Sequence, residues 1–141
     1  MCWIVTTKEK AESLGQDPLA EIIDWSEIAG PDPSLQTKPS QAIQELLDRH
    51  QLTTDDIDLF EINEAFASVV IASCRELGLD YDRVNVNGGA IALGHPLGGT
   101  GFRLVLTLAH ELKRRGGGKG IASLCGGGGQ GMALLIEVPH S

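Results

Sequence analysis

The sequence predicts an α/β layered domain with a mixed sheet, helices on its faces and a closing β-hairpin. Three observations carry this. Short apolar runs alternate with segments of helical periodicity, which is the signature of a sheet layered with helices. The last two apolar runs follow one another across a glycine-rich turn, which makes an antiparallel pair beside otherwise strand–helix–strand connections. The chain has 141 residues, the size of one domain able to bury a core without disulfide or metal.

Taken in order, Trp3 to Val5 is a short apolar run, read as a strand whose neighbours lie upstream. Thr6 and Glu9 form a capping box for a helix from Lys8 to Leu14, closed by Gly15. Leu19 to Ile28 is a strand, and Gly30-Pro31-Asp32-Pro33 a loop inside the domain. Pro39 opens a helix to His50, with Ile43, Leu46 and Leu47 on one face. Thr53 and Asp56 cap a short turn before a strand from Ile57 to Ile62. A helix over 64–77 carries Phe66, Val69, Val70, Cys74 and Leu77 at helical spacing and stops at Gly78. Val84 to Val86 is a short strand, and Asn87 to Gly101 a long glycine-rich loop. The last helix, Thr100 to Arg115, buries Val105, Leu108, Ala109 and Leu112 and ends in basic residues that suit its negative terminus. Ile121 to Cys125 and Met132 to Val138 form the hairpin.

The formal net charge is -8. An acidic chain repels phosphate backbones, which argues against nucleic acid as a partner. The same repulsion applies to any anionic ligand, so an anion must be held by local donors or by another part of the protein. Cys2, Cys74 and Cys125 form no CxxC pair and no ligand-spaced set with histidine, so no metal site is expected, and their spacing fits a reducing, cytoplasmic setting. The stretch MCWIVTTKEK reads neither as a signal peptide nor as a membrane anchor, and the terminal EVPHS is not a peroxisomal address.

Three places carry chemistry. Asn63, in EINEAFA, lies where a strand ends and a helix begins. It reads either as a plain helix N-cap or as an amide aimed into a site at the strand's C-terminal end, where open α/β sheets bind ligands. Of the four histidines, His50, His110 and His140 read as solvated or structural, whereas His95 sits in an irregular loop between Gly94 and Pro96. Such a loop permits unusual backbone angles and close approach of a ligand. Cys125 precedes Gly126-Gly127-Gly128-Gly129-Gln130-Gly131. It reads either as a core cysteine before a turn or as a reactive thiol beside backbone N–H groups arranged as an oxyanion hole. Two patterns mislead. Gly126, Gly128 and Gly131 match a dinucleotide fingerprint but lead into a strand, and Gly94 to Thr100 lacks the lysine of a phosphate loop. Cys2 and Cys74 read as inert.

The ordered set Asn63-Glu64-Ala65-Phe66, Gly94-His95-Pro96 and Cys125-x-Gly127-Gly128-Gly129-Gln130-Gly131 resembles three active-site motifs of the thiolases, and NVNGGAIALGHPLGGTG is similar to the family's signature almost throughout. The resemblance spans about Trp3 to Val138. It implies a thiolase C-terminal domain over 1–141, with acyl-CoA or coenzyme A as substrate rather than cofactor. It also implies the following roles. Asn63 holds a water in a first oxyanion hole. His95 activates a nucleophilic cysteine and points a donor at the thioester oxygen. Cys125 is the general acid/base at the substrate's α-carbon or leaving group, its thiolate fraction raised by a neighbouring histidine and N–H dipoles. Gly127 lends its N–H to a second oxyanion hole. The implied nucleophile belongs to an N-terminal half, and much of the coenzyme A contact to a loop domain; neither has a counterpart here. Gly126 stands where the family has a larger apolar residue. The expected partners are that N-terminal half or further copies of the chain, with no nucleic acid and no membrane. Two competing readings are a non-catalytic thiolase-like binding or assembly module and an unrelated glycine-rich nucleotide binder.

Overall fold

The computed structural model describes residues 3–140. Four strands form one mixed sheet in the order β1-β4-β3-β2: β1 (Glu21–Ala29), β2 (Leu59–Ile62), β3 (Gly118–Gly126) and β4 (Gln130–Val138). β4 pairs antiparallel with both β1 and β3, and β2 runs parallel to β3, with Ile62 opposite Ser123. The parallel pair therefore ends together, and its C-terminal edge collects the loops that follow β2 and β3. The expected mixed sheet and closing hairpin are both present.

One face of the sheet is covered by α2 (Lys38–His50) and α3 (Ala67–Leu77), the other by α5 (Thr100–Arg114). Strand alternation separates the two cores. Phe60, Ile62, Ile121, Ala133 and Leu135 pack with Ile43, Leu46 and Leu47 of α2. Leu59, Ala122, Ile136 and Val138 pack with Leu104, Leu108 and Leu112 of α5. Removing one such leucine side chain costs about 2–5 kcal/mol.

Several boundaries differ from the sequence reading, each for a local reason. α1 (Lys8–Ser13) is capped by Thr7 rather than Thr6, because Thr7 Oγ1 accepts the Lys10 N–H. Trp3 to Val5 forms no strand; the Trp3 ring packs edge-on against Phe102. Cys2 lies outside the described residues. β1 begins at Glu21 and carries a register shift between Ile22 and Asp24. β2 begins at Leu59, since Thr53 to Asp56 closes a capping box over a single 3-10 turn. Val84 makes only an isolated bridge to Phe60. The loop before His95 contains a one-turn helix, α4 (Ala90–Leu93).

The correction with most consequence concerns α3. It starts at Ala67 rather than Glu64, so Asn63 is not its N-cap. The side chains of Asn63 and Glu64 are committed elsewhere, and residues 63–66 stay outside the helix. Phe66 precedes the helix and is 73% exposed, not part of its buried face.

Candidate active site

Asn63 and His95 meet at the C-terminal end of β2. Asn63 is fully buried, its N–H donates to Ser123 O of the neighbouring strand, and its Nδ2 lies 3.3 Å from His95 Nε2. The other ring nitrogen, Nδ1, lies 2.6 Å from Thr100 Oγ1 at the start of α5, and that hydroxyl lies 2.9 Å from Pro96 O. The imidazole itself is exposed. Thus a buried amide and a buried hydroxyl hold a solvent-facing ring from behind. Asn63 Oδ1 is buried and accepts no hydrogen bond among the described residues. Leaving a buried acceptor unpaired costs about 1–3 kcal/mol. This oxygen is therefore a place for a donor from outside the chain, a water or a bound ligand.

A second network fixes the loop that brings His95 in. Asn85, at φ 49°, accepts from Ile62 N and donates to Ile62 O and to Glu64 Oε1. Glu64 Oε2 accepts the Ile91 N–H of α4 at 2.8 Å. A Cβ on Gly89 would collide with the Glu64 carboxylate, so only glycine allows this approach. One turn further along α5, Arg103 meets Glu61 at 3.3 Å. Burial pushes the Glu61 carboxyl up to about 7, although Arg103 pulls the other way.

Cys125 ends β3, one strand over and on the same edge. By the pleat its side chain lies on the Ser123 side of the sheet, whereas Asn63 lies on the Leu124 side, so the two reach the edge from different faces. No hydrogen bond joins Cys125 to His95 or Asn63 among the described residues. The thiol is half-buried; burial pushes its pKa up, offset in part by its own backbone N–H. Within this domain the thiol is therefore without the histidine partner that the resemblance implies. Among the described residues no charged side chain offsets this desolvation. Cys74 is likewise raised by burial, and is packed in the α2/α3 core as expected of an inert thiol.

The four glycines after Cys125 have separable reasons. The turn closes through Gly129 N to Gly126 O, with Gly129 at φ +84°, a three-residue hairpin loop ending in the left-handed region. A Cβ on Gly129 would run into Asp32 O. A Cβ on Gly126 or Gly128 would come within 2.9 or 2.6 Å of the Gln130 amide, which accepts the Gly128 N–H. A Cβ on Gly127 would meet nothing. Gly127 is exposed, and its N–H donates to no group among the described residues. Its lack of a side chain has no explanation inside the chain.

The remaining histidines are structural or solvated. His50 contacts Asp24 at 2.9 Å, His140 contacts Gly116 O, and His110 is exposed. Two hollows, of about 290 and 360 Å³, lie beside the start of α3 and on the outer side of α2; neither is lined by His95 or Cys125. Among the described residues no three His, Cys, Asp or Glu side chains cluster as metal ligands, and no helix is long and apolar enough to cross a membrane.

The family model for the C-terminal domain of thiolase matches residues 16–138. The chain belongs to the thiolase family. This thiolase domain is 55% identical over 134 residues to a Mycobacterium tuberculosis protein named "Probable acetyl-CoA acetyltransferase", and 47% identical over 135 residues to the cytosolic acetyl-CoA acetyltransferase of Rattus norvegicus. Each match covers 95% of this chain and 34% of the relative. Among solved structures it superposes on the Bacillus anthracis acetyl-CoA acetyltransferase with TM-score 0.90 and 49% identity, over 94% of this chain and 34% of that one. A thiolase from Ascaris suum in complex with coenzyme A gives TM-score 0.88 and 42% identity at the same coverage. The chain thus spans about a third of the length of the relatives it matches. These likenesses exclude an unrelated nucleotide-binding fold.

Sequence reasoning singled out Asn63, His95, Cys125 and Gly127. It missed Thr100, Glu64 and Asn85 as the residues that hold them. All three lie within the quoted motifs, and the sequence signal available was that polar side chains recur there.

Proposed function

We propose that this domain supplies the histidine and acid/base cysteine of a thiolase-type acyltransferase, which cleaves or condenses acyl-CoA thioesters. The nucleophilic cysteine and much of the coenzyme A contact belong to the remaining two-thirds of the complete protein. The observation that carries this reading is the Asn63–His95 contact at the sheet's C-terminal edge, with Asn63 Oδ1 left unpaired.

In this reading His95 Nε2 takes the proton of the nucleophilic cysteine of the N-terminal half and then presents it to the thioester oxygen. Asn63, through a held water, supplies a second donor. Gly127 N–H points at the oxygen of the other thioester. Cys125 moves the proton at the α-carbon or at the leaving group. Each donor aimed at a developing enolate or tetrahedral oxyanion is worth about 2.7–4 kcal/mol. The raised Cys125 thiol suits the proton-donating role as it stands, and it needs further donors from the rest of the protein to act as a base. Exposed Ile91, Leu93 and Leu97 around His95 are apolar surface that such a covering half would bury. The same reading places the complete protein in the cytoplasm as an oligomer acting in fatty acid metabolism. The cysteine spacing and the name of the cytosolic rat relative support only the first of these.

The test is a chimera in which this chain replaces the matching third of the Bacillus anthracis enzyme. Acetoacetyl-CoA cleavage by coenzyme A should proceed in the chimera and be absent in the 141-residue chain. Turnover by the lone chain, or an active chimera indifferent to His95→Ala and Cys125→Ala, would overturn the reading. A folded but inactive chimera would favour a binding or assembly module.

A further inference from the structure

The His95 ring is held at both nitrogens, and the atoms that meet it give each contact a sense. A neutral imidazole carries one ring proton, so one nitrogen donates and the other accepts. The Asn63 amide nitrogen can only donate, so Nε2, 3.3 Å away, accepts. The Thr100 hydroxyl has a single proton and lies 2.9 Å from the carbonyl of Pro96, which can only accept. With that proton committed, the hydroxyl oxygen faces Nδ1 at 2.6 Å as an acceptor. With Asn63 Nδ2 turned to the ring and the Thr100 proton on Pro96 O, the ring proton lies on Nδ1 and the lone pair on Nε2.

We infer that Thr100 is a positioning residue that holds His95 in the Nδ1–H tautomer, through a relay from Nδ1–H to Thr100 Oγ1 and from Thr100 to Pro96 O. The relay is rigid. Thr100 is fully buried as the first residue of α5, and Pro96 O also accepts the Gly99 and Thr100 N–H groups that start the helix. The helix start thus fixes the hydroxyl, and the hydroxyl fixes the ring.

The consequence for chemistry rests on the acyl-transfer reading; the tautomer does not. A ring protonated on Nδ1 has its single lone pair at Nε2, which leaves the Asn63 N–H when a thiol proton arrives. The S–H bond breaks, an Nε2–H bond forms, the sulfur becomes a thiolate and the ring a cation. The Nδ1–H stays on Thr100 throughout, so the charged ring keeps its acceptor. The opposite tautomer would offer a proton where a base is needed.

Long-range proton–nitrogen NMR on the ¹⁵N-labelled 141-residue chain at about pH 8, where an ordinary histidine is neutral, reads the tautomer directly. The His95 signals are assigned by their loss in His95→Gln. Wild type should show a protonated Nδ1 and an unprotonated Nε2. Thr100→Val, close in shape but without the hydroxyl, should shift the ring toward the Nε2–H form, and Thr100→Ser should restore the wild-type pattern. In the chimera Thr100→Val should lower kcat by about 10–100-fold with KM little changed, and Thr100→Ser should recover most of it. An Nε2–H ring in wild type, or a pattern unchanged in folded Thr100→Val, overturns the inference whatever the activity. If Thr100→Val does not fold, the wild-type pattern and its retention in Thr100→Ser decide. An inactive chimera with the expected tautomers would defeat the acyl-transfer reading and leave this one standing.

Discussion

The two stations on the edge of the parallel pair are built to different degrees of completion. The imidazole station is oriented inside the chain: Asn63, Thr100, Asn85 and Glu64 each make defined hydrogen bonds that fix His95 or the loop carrying it. The thiol station is open. Among the described residues the Cys125 side chain makes no hydrogen bond, its ionisation is disfavoured by burial, and Gly127 is exposed with its N–H unbonded. Preorganisation is therefore unevenly shared. One station orients its group through its own fold, and the other has only a shaped turn that gains chemical effect when something further covers it.

The largest effects should come from the reacting groups. In the chimera, His95→Ala and Cys125→Ala should each lower kcat by about 10²–10⁴-fold, and Asn63→Ala by about 10²–10³-fold. Steady-state thiolysis of acetoacetyl-CoA measures all three. If Asn63→Ala left kcat unchanged, the completeness of the imidazole station would have no catalytic meaning.

The glycine turn gives a sharper division. Gly129→Ala should destabilise the chain by about 1–3 kcal/mol through left-handed strain alone, with the Asp32 clash adding to it. Gly127→Ala should change stability by under about 0.5 kcal/mol yet reduce kcat in the chimera. Denaturant midpoints beside kinetics would separate them. A Gly127→Ala variant with full activity would show that its N–H need not be approached.

A smaller effect concerns Glu61, beneath the imidazole station. Its folded pKa of about 7 lies above that of an unfolded glutamate, so the folded state binds the proton more tightly. Its contribution to stability is therefore greatest below the unfolded value of about 4.3 and is lost as pH rises through about 7. Glu61→Gln should flatten the decline in urea stability between those limits; an unaltered slope would mean that Arg103 compensates the burial fully. The smallest effect is at Asp24, which Arg49 and then His50 hold down to about 2. That contribution is present above about pH 4 and fades as pH falls through 2, and Asp24→Asn should remove only this acid limb.

The legible parts of the fold were those written in periodicity. α2, α5 and the β3–β4 hairpin emerged within a few residues because Ile43, Leu46 and Leu47, or Leu108 and Leu112, repeat at helical spacing over a buried face. The start of α3 was not legible, because Asn63 and Glu64 are claimed by partners 21 to 32 positions away rather than by the local helix. α4 has a single turn, too short for any pattern. Within the site, Asn63 and His95 were legible as unusual polar residues at a strand end and in a glycine loop, and the fold brings them into contact. The state of Cys125 was not legible, since the sign of its shift depends on how deeply the strand end is buried and on which donors reach it.

The pH dependence of Cys125 alkylation by iodoacetamide, compared between the 141-residue chain and the chimera in a Cys2→Ser, Cys74→Ala background, tests this division most directly. In the isolated chain the rate should rise with a midpoint above that of an ordinary thiol. In the chimera, mass spectrometry at Cys125 should report a midpoint displaced downward, as covering donors reach the sulfur. A thiolate already formed at neutral pH in the isolated chain, or a midpoint identical in the two proteins, would contradict the account.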